Sequence, residues 1–373
     1  MSNVVEIQRA DDPRDVIHEA VQLLAEGELI GFPTDTVYVA AALALSTRGV
    51  ERLVALQHAL EVGVAYLALK GAPEAFDYVP GMSALGNKLV RRCWPGPVVL
   101  VFSPASDRGL AASLPEPTRR LLAEAGGMAL RVPAHDVITA VLRLSPAPLV
   151  FAGEAARGRV GFKTAHELAD AVGERLAMVI DAGPCRYGQP SAIVRVTGER
   201  WDLVQEGVVT HRTLSRLAGS VYLFVCTGNT CRSPMAEGLF RKMLAERLKC
   251  SEEDLVDHGF VVASAGLAAA VGSPPSPESV RILQDRGVDL QGHSSQPATP
   301  RLLNQADHIF TMTKQHRDAI LREFPEMASR VDVLARDGSD VSDPIGSGIE
   351  EYTKCAEEIE RHLYQILSEL SVS

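Results

Sequence analysis

Cysteine is scarce in this chain, with six among 373 residues, and Cys226 and Cys231 stand five apart with no second pair or histidine cluster beside them. Four ligands for zinc cannot be assembled from that pattern, so no metal is expected, and nothing in the sequence implies a cofactor. A run of eighteen apolar residues is missing, and Met1 to Pro13 is charged and polar. These absences speak against a membrane span, a membrane partner and an export signal, and they predict a reducing, cytoplasmic setting. No fixed-period repeat or low-complexity tract is visible. Positive charge is also short: residues 1–210 carry 20 Lys and Arg against 24 Asp and Glu, and the remainder 17 against 23. That balance argues against nucleic acid as a partner of residues 1–210, where only local clustering of basic residues would build a groove for it.

What is present suffices for packed cores, at 46% hydrophobic and 23% charged residues, and the length favours two or three domains. The most informative stretch runs from Val221 to Glu237: an apolar strand, a Cys-x5-Arg loop, then a helix. A free cysteine, with a pKa near 8.5, is only about 3% thiolate at neutral pH, so Cys226 would need help to act as a nucleophile. The amides from Thr227 to Arg232 must turn back toward its sulfur if the chain is to enter a helix beginning at Ser233. Such a nest of N–H groups favours negative charge on the sulfur and on an incoming phosphate. The expected phosphate-binding loop is therefore Thr227, Gly228, Asn229, Thr230, Cys231 and Ser233. Ser233 suits the helix N-cap and Pro234 the first helical position. Met235, Leu239 and Met243, flanked by Ala236, Phe240 and Leu244, form the stripe that packs on a sheet. Arg232 can grip two phosphate oxygens with its forked guanidinium, a geometry lysine lacks.

Attack of sulfur on phosphorus leaves a phosphocysteine, so the leaving group needs a proton and the intermediate needs a water. Asp343, stiffened by Pro344 within the turn-rich stretch from Asp337 to Gly348, is assigned as general acid. With those roles in view, Cys226 to Pro234, Ser264-Ala265-Gly266, Gly292-His293-Ser294-Ser295, Asp307 to Met312 and Asp343-Pro344 together resemble the low-molecular-weight protein-tyrosine-phosphatase family from about Val221 to the C-terminus. The resemblance implies a hydrolase acting on phosphorylated proteins with catalytic Cys226, Arg232 and Asp343. It also implies a polar network of Asn229, Ser233, Ser264 and His293 holding the loop, with Ser233 donating to the sulfur. His293 is then a support, not an acid or base. Cys231 is read as a redox residue that closes a reversible disulfide with Cys226 and shields it from overoxidation.

Tyrosine-directed members of that family resemble one another in a bulky aliphatic residue inside the loop and an aromatic after the Asp-Pro pair, where this chain has Thr230 and Ile345. Thr230 makes the loop similar to the protein-arginine-phosphatase branch, which leaves phosphoarginine and phosphotyrosine as the two substrates, phosphoarginine placed first. Arsenate reductase is a third reading, ranked below because Cys250 and Cys355 form no obvious relay pair.

Alternating strand and helix signals after residue 220 predict a doubly wound, four-stranded parallel sheet, with strands at Val221 to Val225, Gly259 to Ser264, Asp307 to Met312 and Val331 to Leu334. The expected division is an α/β domain over 1–210, a linker over 211–219, and the phosphatase-like domain over 220–373. In the first domain, Pro33-Thr34-Asp35-Thr36-Val37-Tyr38, Trp94-Pro95-Gly96-Pro97 and Arg131-Val132-Pro133-Ala134-His135 resemble the YrdC-like, threonylcarbamoyl-adenylate synthase family. Several words of that family are altered. Gln57-His58-Ala59-Leu60 stands for Lys-x-Arg-Pro, Gly153-Glu154-Ala155 for Ser-Ala-Asn, Ser191-Ala192 for a Ser-Thr pair, and Gln205 for an arginine. Each change removes a cation or hydroxyl that a triphosphate needs, and Glu154 adds charge of the wrong sign. The domain is accordingly expected to be a degenerate ligand-binding or regulatory module; retained synthase activity and double-stranded RNA binding are the alternatives.

Overall fold

Apolar strand, polar turn and capped helix succeed one another after residue 219, and each crossover returns the chain to a parallel neighbour. The computed structural model describes residues 3–103, 109–154 and 161–370, so Ala155 lies outside the described residues. The chain divides into two compact units, Met1–Leu217 and Ala218–Ser373. The expected linker is instead largely a helix, His211–Ala218, with Leu214 buried. Its apolar positions are spaced for one face, a pattern too short to stand out in the sequence.

In the second unit four parallel strands lie in the order Phe260–Gly266, Ser220–Cys226, His308–Thr311, Val331–Val333. The strand that ends at Cys226 is thus central and the chain departs to either side of it, which makes its carboxyl end the switch point where ligands bind such sheets. Side chains alternate along this strand. Tyr222, Phe224 and Cys226 face the helices Arg232–Leu248 and Ile349–Glu369, while Val221, Leu223 and Val225 face Leu303, Ile320 and Met327. The pleat therefore delivers the Cys226 sulfur to the side on which the next helix begins.

That helix buries Met235, Leu239 and Met243 as the stripe requires, and Phe240 meets Phe224 edge to face at 5.5 Å and 76°. Its start differs from expectation. The first helical residue is Arg232 and the N-cap position is Cys231, with no side-chain cap, so Ser233 sits inside the first turn. The physical reason is the loop itself: the Ser233 hydroxyl is engaged with Cys226 and does not cap. Elsewhere caps follow the sequence, as where Ser276 accepts from Ser279 N ahead of the helix Pro277–Asp285.

The first unit is built on a ten-stranded mixed sheet running from Asn3–Glu6 at one edge to Arg200–Gln205 at the other. Its central strands, including Val39–Leu43, Leu149–Phe151, Tyr66–Ala68 and Met128–Arg131, are buried throughout. Such continuous burial forces any polar residue on them to find internal partners. Among the described residues no helix is long and apolar enough to cross a membrane.

Candidate active site

Cys226 is the last residue of its strand, buried to 3% exposure, and the loop after it folds over the sulfur. Asn229 N donates to Cys226 Sγ at 3.2 Å, and Ser233 Oγ lies 3.0 Å from the same atom. Closing so short a loop requires a left-handed residue, and Asn229 takes that role with φ of 56°, a conformation its short amide tolerates. Its side chain then fastens the loop to the sheet. Nδ2 donates to Ser233 Oγ at 3.0 Å and to Ser264 Oγ at 2.8 Å, while Oδ1 accepts from Gln296 N at 2.9 Å. His293 Nε2 sits 2.9 Å from Asn229 O; a carbonyl only accepts, so this nitrogen carries the proton. The structure thus brings Asn229, Ser233, Ser264 and His293 into one network around the sulfur.

The other loop residues are held individually. Thr227 is exposed with Oγ1 2.9 Å from His316 Nε2, and Gly228 is half-buried. Thr230 O accepts from Ser276 N at 2.8 Å. Cys231 is a buried free thiol 3.4 Å from Tyr352 OH. Burial, and then the hydrogen bond to Cys231, push Tyr352 up to about 12. Arg232 is 5% exposed, with its guanidinium donating to Val341 O at 3.3 Å and to Asp343 Oδ2. Asp343 Oδ1 accepts from Ile345 N at 3.2 Å, an Asx turn that uses the residue beyond Pro344 to aim the carboxylate inward. The Asp343 side chain keeps 45% of its surface exposed, and Ile345 is 67% exposed. Cys250 and Cys355 are free thiols, and burial pushes Cys355 up to about 12.

Three further residues belong to this site and escaped the sequence reading. Glu237 accepts from Ser264 Oγ at 2.6 Å; it lies four residues after Ser233 on the same helix face, which is the spacing that could have revealed it. Gln296 Nε2 donates to Ser264 O at 3.0 Å. His316 bridges Thr313 Oγ1 and Thr227 Oγ1, both at 2.9 Å, and Thr313 caps the helix that carries it. Burial, then the neighbouring Arg232 charge, lower the His316 pKa and favour its neutral form.

The first unit holds a second polar cluster at the sequence words singled out above. Arg131, on the last residue of its strand, has no exposed surface. Its guanidinium donates to Asp35 Oδ1 at 2.6 Å, to Glu154 Oε1, to Thr36 Oγ1 at 3.1 Å, to Tyr66 OH at 3.2 Å and to Gly96 O at 3.0 Å. Burial opposes its charge, and Glu154, Tyr66 and Asp35 more than offset that, raising its pKa. Glu154 is therefore not a bare repulsive wall, as its sign alone suggests, but one half of a buried ion pair. Gln57, in the place of a cation, is buried with Oε1 unpaired among the described residues.

Residues 221–373 match the family described as Low molecular weight phosphotyrosine protein phosphatase, and residues 22–207 match the Sua5/YciO/YrdC family described as Telomere recombination. The chain is 38% identical over 152 residues to a protein-arginine-phosphatase of Bacillus subtilis, covering 95% of that protein and 40% of this chain. It is 23% identical over 229 residues to a threonylcarbamoyl-AMP synthase of Bacillus subtilis, covering 61% of this chain and 63% of that enzyme. A solved structure of P. abyssi Sua5 aligns with a TM-score of 0.51 at 18% identity over 71% of this chain and 92% of that one, a likeness of fold.

The closeness of the loop to its neighbouring strand supplies a test. A Cβ at Gly266 would stand 2.5 Å from Thr227 O and 2.9 Å from Asn229 N, so Gly266→Ala must displace the loop. Aryl phosphate hydrolysis by that variant is expected to fall by roughly tenfold or more, with a stability loss of about 1–3 kcal/mol. An unchanged rate in a folded variant would contradict the geometry.

Proposed function

We propose that this chain, which belongs through residues 221–373 to the low molecular weight phosphotyrosine protein phosphatase family, dephosphorylates proteins through a phosphocysteine on Cys226. The observation that carries this reading is the convergence of the Asn229 amide and the Ser233 hydroxyl on Cys226 Sγ at a helix N-terminus, with the Arg232 guanidinium on the next turn of chain. Sulfur attacks phosphorus, and the electron pair of the breaking bond leaves with the substrate's oxygen or nitrogen. Asp343 supplies the proton to that leaving atom. The loop amides and Arg232 take up the charge of the transferring group, for which Arg232 must exchange its Asp343 contact for phosphate oxygens. Water, giving one proton to the same Asp343 carboxylate, then attacks phosphorus; the S–P bond breaks, phosphate is released and the Cys226 thiolate is restored.

For the substrate, phosphoarginine is placed ahead of phosphotyrosine. Thr230 leaves the loop without a bulky aliphatic, and the exposed Ile345 supplies no ring to stack on a phenol, a contact worth about 0.5–1.5 kcal/mol. The Asp343 carboxyl can instead accept a hydrogen bond from a guanidinium N–H. For the N-terminal unit, the reading is a module without synthase chemistry, supported by the loss of cationic positions and by the closed Arg131–Glu154 pair. Cys231 is assigned the redox role of a reversible partner for Cys226.

Matched phosphoarginine and phosphotyrosine peptides are expected to give kcat/KM values differing by roughly tenfold or more in favour of phosphoarginine, with Cys226→Ser inactive on both. A preference for phosphotyrosine would reverse the assignment. After peroxide and then a thiol reductant, the native protein should recover most of its activity while Cys231→Ser recovers little; equal recovery would remove the redox role.

A further inference from the structure

The Glu154 carboxylate is surrounded as a bound ligand would be. Oε1 accepts from Tyr66 OH at 2.6 Å, from Ser191 Oγ at 3.0 Å and from the Arg131 guanidinium, while Oε2 accepts from Ser191 N at 2.6 Å. The hydroxyl and main-chain amide of Ser191, the Tyr66 phenol and the Arg131 guanidinium come from three separate strand ends and meet at one planar anion. Burial first, and then the Glu154 charge, hold the Tyr66 phenol well above its usual range, so it remains a donor. Asp35 Oδ1 and Ala134 N brace the far side of the cluster at 3.0 Å. The remaining hollow, lined by Gly63, Tyr66, Glu154, Ser191, Ile193 and Gln205, has about 10 Å³, room for at most one water.

A carboxylate used only to neutralise Arg131 would not need the second hydroxyl and the amide; Asp35 already pairs with that guanidinium at 2.6 Å. The complete set of donors is what an oxyanion site contains. We infer that the N-terminal unit carries an oxyanion-binding site of the carboxylate class that is permanently occupied by its own Glu154. The side chain acts as a tethered ligand: its local concentration excludes free anions, and no triphosphate or amino-acid carboxylate reaches Arg131 while it is in place. This rests on the reading of the unit as a module without synthase chemistry and gives the physical cause of that loss.

Full-length Glu154→Ala removes the tethered carboxylate and leaves the donors around a hollow of matching size. Its first unit should melt below that of the native protein. Sodium formate or acetate should raise that transition by about 3–6 °C when the anion exceeds its dissociation constant tenfold. Sodium chloride at equal ionic strength and neutral acetamide should not, and the native protein under the same formate sets the baseline, including any binding at the phosphate loop. Should the alanine variant fail to fold, Glu154→Ser, which keeps one hydroxyl near Arg131, takes its place with the same expected response. Absence of an anion-specific shift in whichever variant folds would overturn the inference yet leave the non-catalytic reading intact. Threonine-dependent pyrophosphate release from ATP by the native protein would overturn both, because the site would have to be open.

Discussion

Asn229 is the residue on which the loop from Cys226 to Ser233 depends. Its left-handed backbone lets its amide reach Cys226 Sγ, and its side chain ties the turn to Ser233, Ser264 and Gln296. Both halves of the residue are needed together. Glycine would accept the φ of 56° and lose three hydrogen bonds, while most other side chains would resist the backbone. Because Asn229, Ser233 and Ser264 are buried, each unmade bond among them would leave a group desolvated and unsatisfied, at about 1–3 kcal/mol apiece. The loop is therefore preformed, and its N–H groups need not be reorganised when an anion arrives.

Each unit contains an arginine paired with a carboxylate, and burial separates their consequences. Asp343 keeps 45% of its side-chain surface in water, so its hold on Arg232 can be exchanged for a phosphate at modest cost. Glu154 and Arg131 are 5% and 0% exposed, and withdrawing either would strand a charge in a low-dielectric interior. The first arrangement suits a reacting site that must open and refill with every turnover. The second suits a fixed piece of the fold, which is why one arginine is proposed as catalytic and the other is not.

Much of the C-terminal unit was legible in the residues. The apolar strand before Cys226 and the stripe Met235, Leu239 and Met243 each carry local information, and local information survives folding. The start of the helix at Arg232 was misread because Ser233 is a good capping residue by type, and only the fold reveals that its hydroxyl serves Cys226. His316 and Gln296 were invisible for a different reason: they reach the loop from 89 and 67 residues away, and no spacing rule links them to it. In the N-terminal unit the altered word around Glu154 could be seen, but not that Ser191 and Tyr66 close upon it, since those contacts join strands far apart in sequence.

Everything proposed for the second unit reduces to whether phosphorus passes through the Cys226 sulfur. Acid quenching during turnover of a phosphopeptide, followed by peptide mass analysis, measures this directly. One phosphoryl group should be found on the peptide containing Cys226, and none when that residue is alanine-substituted or when substrate is omitted. Steady hydrolysis with no phosphorylated Cys226 at any quench time, or hydrolysis that persists in Cys226→Ser, would contradict the mechanism.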